Sequence, residues 1–183
     1  MTPEAADSLA ARLLGASRTE LGGHRINHAR RVAARVRRSA GSRLVEGALL
    51  HDVVATGRIT IDELRAEVAD GRLVELVEVL TRLEAETDEH YLARCAADPV
   101  ALVIKRADLA DNLIAYGTDV PMAAGLRARR QASRQLALLN LLAQRHRVLA
   151  HRRVGRAATR ADLRERGVNP VVWTAYDDGR ATR

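Results

Sequence analysis

Apolar residues recur along most of this chain at intervals of three and four, the spacing that places them on one face of an α-helix. Leu9, Leu13 and Leu14 share such a face near the N-terminus, and Gly22-Gly23 interrupts the pattern after it. No segment alternates apolar and polar residues convincingly enough to indicate a β-strand. The pattern therefore predicts an all-α fold, in the form of a helical bundle.

Short local signals predict where several of these helices begin. Thr2-Pro3-Glu4 is typical of a helix start, because threonine caps the end and proline suits the first helical position. Thr60 and Glu63 have the spacing of a capping box, in which each side chain can bind a backbone amide near the other residue. Asp98-Pro99 predicts the start of a further helix.

An arginine-rich helix is predicted from about Met122 to His151, and a short helix is predicted to begin at Thr159. The apolar face of the long helix is expected to consist of leucines, namely Leu126, Leu136, Leu139 and Leu142. Residues 1–116 carry 16 basic and 18 acidic side chains, whereas residues 117–183 carry 14 and 5. We therefore divide the chain into a helical domain at 1–151 and a basic C-terminal extension at 152–183.

Composition narrows the class of protein. No apolar run approaches the roughly 18 to 20 residues that a membrane-spanning helix needs, so no membrane segment is expected. The N-terminus lacks the basic start and apolar block of a signal peptide, and the single cysteine, Cys95, permits no internal disulfide. These features predict a cytoplasmic protein.

The candidate chemistry lies on the apolar helical faces. His28 precedes Val32 and Val36 by four and eight residues, so it is expected to face the core with them. His51-Asp52 closes the apolar helical stretch 43–50. A histidine on such a face is often a hydrogen-bonded core residue, but a neighbouring His-Asp pair adds the donors of a metal site.

Asp108 continues this constellation later in the chain. It follows Ile104 by four residues and precedes Asn112 by four, so one helical face holds all three. A buried carboxylate without a partner is costly and calls for a cation or strong hydrogen bonds. Two histidines and two aspartates offer the mixed nitrogen and oxygen donors that a divalent cation accepts.

The order of His28, His51-Asp52 and Asp108 resembles the signature of the HD-domain metal-dependent phosphohydrolases. Within that superfamily, the chain is most similar to the hydrolase domain of RelA/SpoT-type stringent-response proteins and their small stand-alone relatives, which remove pyrophosphate from (p)ppGpp. The closer likeness is found in segments 48–54, 80–83 and 104–113. The resemblance covers roughly residues 24–145 and implies an HD-domain helical bundle.

This resemblance assigns roles to particular residues. The implied ligands of one divalent cation, Mn²⁺ in the first instance, are His28, His51, Asp52 and Asp108. Asp52 and Asp108 are then also catalytic, since the cation they hold activates water and offsets charge on the phosphoryl group. The implied substrate-binding residues are Arg25, Lys105 and Asn112. The alternative interpretation is solvent exposure or a surface ion pair for Arg25 and Lys105, and a role in capping or bridging helices for Asn112.

The chain departs from the hydrolase pattern just after the His-Asp pair. Those enzymes have a Glu-Asp pair where this sequence has Ala55 and Thr56. Alanine cannot accept a proton, and a threonine hydroxyl is too weak a base to replace a carboxylate near neutral pH. The acidic residues considered as replacements are Asp62, Glu63 and Asp111.

Three functions therefore stay open. The first is hydrolysis of a nucleotide phosphate or pyrophosphate ester, with (p)ppGpp as the leading single substrate, although Leu139 stands where those hydrolases have a nucleotide-contacting tyrosine. The second is a catalytically impaired HD-domain protein that binds nucleotides or regulates. The third is a module that binds RNA or an acidic partner through the arginine-rich C-terminal third.

Overall fold

The computed structural model describes residues 1–19, 22–37, 42–114 and 122–165. Within these ranges the chain is all-α, which confirms the predicted fold class, and it contains no strand. The helices are α1 (Pro3–Leu14), α2 (Arg25–Val36), α3 (Ser42–Leu50), α4 (Ile61–Glu67), α5 (Gly71–Leu80), α6 (Asp88–Ala97), α7 (Pro99–Ile114) and α8 (Met122–Glu165), with a 3₁₀ helix at Val54–Thr56. None of the described helices has the length and apolar character needed to cross a membrane.

The helix starts predicted at Thr2, Thr60 and Asp98 are confirmed. The Thr2 hydroxyl accepts a hydrogen bond from the Ala5 amide at the start of α1, over 3.3 Å. At the start of α4, the Glu63 amide donates to Thr60 Oγ1 over 3.2 Å and the Thr60 amide donates to Glu63 Oε2 over 2.8 Å. This is a complete capping box, so the role of Glu63 is structural.

The bundle is organised around α2, α3 and α7, each of which packs against the other two, while α1 covers α2 and α3. The largest fully buried side chains are leucines together with Ile104, contributed by the helices other than α2, while α2 contributes the fully buried Val32 and Val36. Burial of these apolar faces supplies the main driving force for the fold. The packing brings the inward faces of α2 and α7 and the C-terminal end of α3 together.

Helix α8 differs from the prediction in two ways. Leu139 and Leu142 are buried, but Leu126 is 43% exposed. The inward positions, such as Ala132 and Leu139, recur at intervals of seven, and Leu126 lies outside this stripe. The helix also continues without a break to Glu165, so the separate helix predicted to begin at Thr159 is wrong. Neither a proline nor a glycine pair interrupts this stretch.

The chain divides into two units at a point within α8. The first unit comprises Met1–Ala143 and contains every residue of the candidate site. The second begins at Gln144, and its described backbone is helical to Glu165.

A glycine permits the close approach of α3 to its neighbours. A Cβ at Gly47 would lie 2.6 Å from Leu76 Cδ2 on α5 and 2.9 Å from Ile104 Cδ1 on α7. Both distances are below van der Waals contact, so a side chain at this position requires the Leu76 and Ile104 side chains to rotate or α3 to shift. Gly47 lies one turn before His51, and Ile104 lies one turn before Asp108, so this contact also controls the spacing of the candidate site.

The connection between α5 and α6 is held by an arginine. Arg94 donates to both carboxylate oxygens of Glu86, over 2.8 Å each, and to the Thr81 carbonyl over 2.9 Å. The hydrogen bonds from Arg94 lower the pKa of Glu86 to about 2. Arg82 in turn donates to the Glu86 backbone carbonyl over 2.7 Å. By holding Glu86 in place, the Arg94–Glu86 ion pair therefore also helps to position Arg82.

We expect Gly47→Val to destabilise the protein by about 1–3 kcal/mol, because overpacking this buried contact forces the Leu76 and Ile104 side chains out of their preferred rotamers or shifts the backbone. Urea unfolding followed by circular dichroism measures the change. Gly71→Ala is the matched control: a Cβ there meets no atom within 4 Å, so stability should be unchanged or slightly increased. Equal stability of Gly47→Val and the wild type would show that α3 does not require the close contact.

We expect Glu86→Gln to cost about 2 kcal/mol at pH 7, because charge-assisted hydrogen bonds from Arg94 are lost. The pKa of Glu86 falls from 4.5 to about 2 on folding, so its stabilisation is present above the unfolded-state value and is lost as the pH falls toward 2. The difference between variant and wild type should therefore shrink below pH 4.5. Glu84→Gln, in the same connection but exposed, is the control. If the stability difference between Glu86→Gln and the wild type does not change with pH, the ion pair of Glu86 with Arg94 is not its cause.

Candidate metal centre

The four predicted ligands come from three helices and meet in the interior of the first unit. His28 lies on α2, Asp108 lies on α7, and His51 and Asp52 directly follow α3. His28, His51 and Asp108 are each 3–4% exposed, and Asp52 is half-buried. The predicted inward orientation of His28 and Asp108 is confirmed.

His51 presents a nitrogen without a partner. Its Nδ1 lies 2.7 Å from the Ala48 carbonyl oxygen, which can only accept, so Nδ1 carries a proton, and in the neutral ring Nε2 has the lone pair. Nε2 is buried and has no hydrogen-bond partner. It lies 3.8 Å from Asp52 Oδ1 and 3.9 Å from Asp108 Oδ1. A buried acceptor of this kind calls for a ligand that can bind its lone pair.

The side chains around this nitrogen suit a divalent cation. One ligand atom each from His28, His51 and Asp52 forms a group within 4.8 Å of one another. Asp108 is outside this group of three, but its Oδ1 lies 3.1 Å from His28 Nε2. A lone-pair nitrogen, a second imidazole and two carboxylates match the donors that a hard or borderline cation accepts. The residues present therefore fit the metal that the resemblance implies.

His28 lies between two carboxylates. Its Nε2 contacts Asp108 Oδ1 over 3.1 Å, and its Nδ1 contacts Asp111 Oδ2 over 2.9 Å. Burial disfavours the charged ring, but hydrogen bonds to Asp108 and Asp111 outweigh burial and raise the pKa of His28 to about 9. Both ring nitrogens of His28 thus have carboxylate hydrogen-bond partners. A metal ion that binds at Nε2 therefore has to displace a proton.

Asp111 contacts His28 Nδ1, the ring nitrogen that does not contact Asp108. The carboxylate is 1% exposed and also accepts hydrogen bonds from Arg31, over 2.9 Å, and from Arg35, over 3.4 Å. Burial alone would raise its pKa, yet the bonds from His28 and Arg31 lower it to about 2. A carboxylate on the outer nitrogen of a ligand histidine fixes its tautomer and ring orientation. The sequence offered one signal for this role, since Asp111 follows Asp108 by three residues on α7.

Two of the predicted substrate-binding residues contact Asp108. Lys105 Nζ lies 2.7 Å from Asp108 Oδ2, and Asn112 Nδ2 donates to Oδ1 over 2.9 Å. Desolvation acts to raise the pKa of Asp108, but the Lys105 charge overcomes it and holds that pKa well below the usual range. Both residues also line the cavity beside the cluster. The Lys105 contact is an ion pair, but a buried one and not a surface pair, and the Asn112 contact lies within α7 and bridges no helices. A role of either residue in substrate binding stays a prediction.

Arg25, the third predicted substrate residue, pairs with Asp52. Its Nη1 lies 2.7 Å from Asp52 Oδ2, while the other carboxylate oxygen, Oδ1, lies 3.8 Å from His51 Nε2. Arg25 lines the same cavity as Lys105 and Asn112. The three residues therefore lie together at one opening, each with a partner inside the protein.

The cavity beside the cluster has a volume of about 290 Å³ and a cationic wall. Its charged and polar lining includes Arg25, Arg82, Lys105, Asn112, Gln131 and Gln135. Arginine side chains bind phosphate oxygens through charge-assisted hydrogen bonds, so this lining suits a phosphorylated ligand. Arg82 was not among the predicted site residues, although it lies in one of the segments that carry the resemblance. Gln131 and Gln135 were not predicted either, because their helix carries no motif.

The missing acidic pair is not replaced at the cavity. Ala55 lines the cavity, while the Thr56 hydroxyl donates to the Val53 carbonyl over 2.8 Å. The three acidic residues considered as replacements are engaged elsewhere: Asp62 with Arg65, Glu63 in the α4 cap and Asp111 with His28. Among the described residues that line the cavity, the carboxylates are those of Asp52 and Asp108.

Fold and site together define an all-α protein with a buried His-Asp cluster beside a cationic cavity. Comparison of the chain with models of known protein families gives no match, and comparison with curated proteins gives none either. The likeness to HD-domain phosphohydrolases therefore depends on the individual residues that carry it.

We expect Asp111→Ala to weaken Mn²⁺ binding by about 10–100-fold, the usual cost of losing an outer partner of a ligand histidine. Asp111→Asn should recover part of this loss, because its amide oxygen can still accept a hydrogen bond from His28 Nδ1. Isothermal titration calorimetry gives the affinities, and Asp62→Ala, which removes an exposed carboxylate, is the control.

A purely structural role for Asp111 gives a different result. In that case both variants would lower the melting temperature of the metal-free protein, while the increase in melting temperature on adding Mn²⁺ would match that of the wild type. Such an unchanged increase contradicts the positioning role.

Proposed function

We propose that this protein is an HD-domain, metal-dependent phosphohydrolase that acts on a phosphate or pyrophosphate ester of a nucleotide. The observation that carries the proposal is the buried Nε2 of His51, which has no hydrogen-bond partner and faces the carboxylates of Asp52 and Asp108. A cavity with a cationic wall adjoins this cluster. An unpaired buried acceptor beside two carboxylates destabilises the fold unless a cation binds there.

In the proposed enzyme, His28, His51, Asp52 and Asp108 hold one divalent cation, with Mn²⁺ the first choice from the resemblance. When bound, such a cation lowers the pKa of water toward neutrality and offsets negative charge on the phosphoryl group. The ligand histidines are positioned by Asp111 and by the Ala48 carbonyl. Each imidazole thus directs Nε2 toward the carboxylates.

The charges around the cluster favour an anionic substrate. Lys105 pairs with Asp108, and Arg25 pairs with Asp52, so each carboxylate at the cavity already has a cationic neighbour. Arg82 adds a third cation to the wall. A divalent ion would then give the site a net positive charge, which attracts polyanions and raises their rate of association. Of the nucleotides, (p)ppGpp is the leading substrate because of the resemblance.

A second candidate function is favoured by Ala55. Its side chain lines the cavity where the related hydrolases have an acidic residue, and the described part of the lining offers no further carboxylate beyond the two proposed metal ligands. General-base catalysis typically contributes about 100- to 10,000-fold to rate. A protein that holds the metal and the nucleotide but turns it over very slowly, as a regulator, therefore fits the same geometry.

We expect purified wild-type protein to retain one equivalent of a divalent metal and to release phosphate or pyrophosphate from members of a nucleotide panel that includes ppGpp. His51→Ala should lose both properties, because the nitrogen without a partner is removed. His90→Ala, at an exposed position on α6, is the matched control and should keep both. Metal analysis and chromatography of the nucleotide products provide the readouts.

The two candidate functions give different results in this experiment. Metal retention with nucleotide binding but no turnover across Mn²⁺, Fe²⁺, Co²⁺ and Mg²⁺ favours the regulator. In that case, Ala55→Glu combined with Thr56→Asp should introduce measurable turnover. If His51→Ala binds metal as well as the wild type, the proposed ligand set is wrong.

A further inference from the structure

An open groove between α2 and α7 lies apart from the metal cluster. It has a volume of about 620 Å³. Among the described residues, none lines both this groove and the cavity beside the cluster. The described lining consists of three arginines and three alanines, namely Arg31, Ala34, Arg35, Arg106, Ala107 and Ala110. We name this cationic surface the α2–α7 groove.

The spacing of the lining residues explains how the groove forms. Arg31, Ala34 and Arg35 are exposed, and their intervals of three and four place them on one side of α2. Ala107 and Ala110 are three residues apart on α7 and share a side of that helix in the same way. Alanine extends little from a helix surface, so space remains between the longer arginine side chains.

A buried carboxylate fixes the two arginines of α2. Arg31 Nη2 donates to Asp111 Oδ2 over 2.9 Å, and Nε and Nη2 of Arg35 each lie 3.4 Å from Asp111 Oδ1. Asp111 is 1% exposed, so both side chains are held from the interior. Groups that are already ordered lose less conformational freedom when a ligand binds. The two guanidinium groups are therefore preorganised on the outer surface of the bundle.

The third arginine is fixed by a neutral partner. Arg106 is half-buried, and its Nε donates to the side-chain oxygen of Asn140 on α8 over 2.8 Å. This bond orients the guanidinium group but leaves its charge without compensation. Both Nη groups of Arg106 and Nη1 of Arg31 and Arg35 take no part in the bonds to Asn140 and Asp111. Each arginine thus has donors for a further acceptor.

The groove carries more positive charge than its internal partner can neutralise. In the described part of the chain, the ion pairs of Arg31 and Arg35 are with the same carboxylate, that of Asp111. Three guanidinium groups therefore face one carboxylate, which leaves a surplus of two positive charges. Like charges four residues apart on a helix repel one another. An anion bound at the groove is stabilising for this reason.

Neutralisation of Asp111 does not explain all three arginines. That carboxylate already accepts hydrogen bonds of 2.9 Å from His28 and from Arg31. The 3.4 Å contacts of Arg35 are longer than a usual hydrogen bond. Arg106 has its hydrogen bond on Asn140 instead. Arg35 and Arg106 are thus the two arginines for which an internal role is weakest.

We propose that the α2–α7 groove binds a phosphate group, free or carried by a small molecule, through Arg31, Arg35 and Arg106. A phosphate monoester carries about 1.5 to 2 negative charges near pH 7, which matches the surplus charge of the groove. Its oxygens accept charge-assisted hydrogen bonds from several guanidinium groups at once. The inference goes beyond the proposed function and does not depend on it.

The lining indicates binding without chemistry. Its described residues offer guanidinium and methyl groups but no carboxylate, hydroxyl, thiol or imidazole that could act as a base or nucleophile. A ligand in the α2–α7 groove is therefore held and not transformed, as at a site for an effector. The groove and the cavity beside the cluster contact opposite sides of the same two helices, α2 and α7.

Nuclear magnetic resonance of the arginine side chains locates the bound phosphate directly. Full-length protein labelled with ¹⁵N-arginine is kept in Mg²⁺, which is diamagnetic, and titrated with orthophosphate or methyl phosphate slightly above neutral pH. The Nε–Hε signals of Arg31, Arg35 and Arg106 should shift together and fit one dissociation constant for each ligand. Sodium chloride at the same ionic strength should leave them unchanged. Comparison of the two ligands tells a site for free phosphate from one that also accepts monoesters.

Arg35→Gln combined with Arg106→Gln should weaken phosphate binding at the groove by at least about 10-fold, because two sets of charge-assisted hydrogen bonds are lost. Arg31 is kept so that Asp111 retains its closest arginine. Arg58→Gln combined with Arg72→Gln is the matched control, since it removes the same charge from exposed positions outside the groove. The Arg31 signal reports binding in both double variants, and the control should keep the wild-type affinity.

Several outcomes overturn the inference. Shifts confined to Arg25 and Arg82 would place phosphate only in the cavity beside the cluster. Equal shifts with chloride, or an equal loss of affinity in both double variants, would show a general effect of charge. A single-stranded oligonucleotide that binds these arginines more tightly than either phosphate ligand would favour a nucleic-acid surface. The wild-type titration decides even if the groove variant does not fold.

The groove and the proposed function are tested separately. A wild type that neither retains metal nor hydrolyses nucleotides, but shows the phosphate-dependent shifts, supports the groove and removes the hydrolase. A wild type that hydrolyses nucleotides without these shifts removes the groove alone.

Discussion

Two buried carboxylates on one face of α7 are the constraint on which the candidate site depends. Asp108 and Asp111 are 4% and 1% exposed, and a buried carboxylate without compensation costs several kcal/mol. His28 lies between them and places one ring nitrogen against each, while Lys105 and Arg31 supply further positive charge. The contact between α2 and α7 is therefore specified by charge as well as by apolar packing.

The end of α3 completes the cluster through its own backbone requirements. The last carbonyls of a helix have no partner within the helix, and His51 Nδ1 donates to one of them, that of Ala48. The same bond leaves Nε2 as the lone-pair nitrogen that faces the carboxylates. Gly47 lets α3 approach Ile104 one turn before Asp108, which brings Nε2 to 3.9 Å from that residue. Helix termination, close packing and ligand orientation thus depend on one short segment.

Local patterns predicted the all-α fold, the Thr60 cap and the inward faces of His28 and Asp108, because each of these depends on residues within one or two turns of helix. The partner of Asp111 was beyond such reasoning: it lies 83 residues away on another helix. Leu126 was placed in the core wrongly because a leucine count does not show which stripe of a long helix is covered. Gln131 and Gln135 have chemically unremarkable sequence contexts, and only the tertiary packing places them at the cavity.

In the proposed function, the charges that stabilise the cluster favour binding of a polyanion but do not assist its hydrolysis. Asp52 and Asp108 each have a cationic partner, and Ala55 adds no negative charge to the cavity wall. A wall of this kind retains polyanions more strongly than one with an additional acidic pair, because fewer carboxylates repel the phosphate oxygens. It also lacks a free base to assist the attack of water. For the proposed hydrolase, alanine at position 55 would therefore favour binding of a polyanion over its turnover.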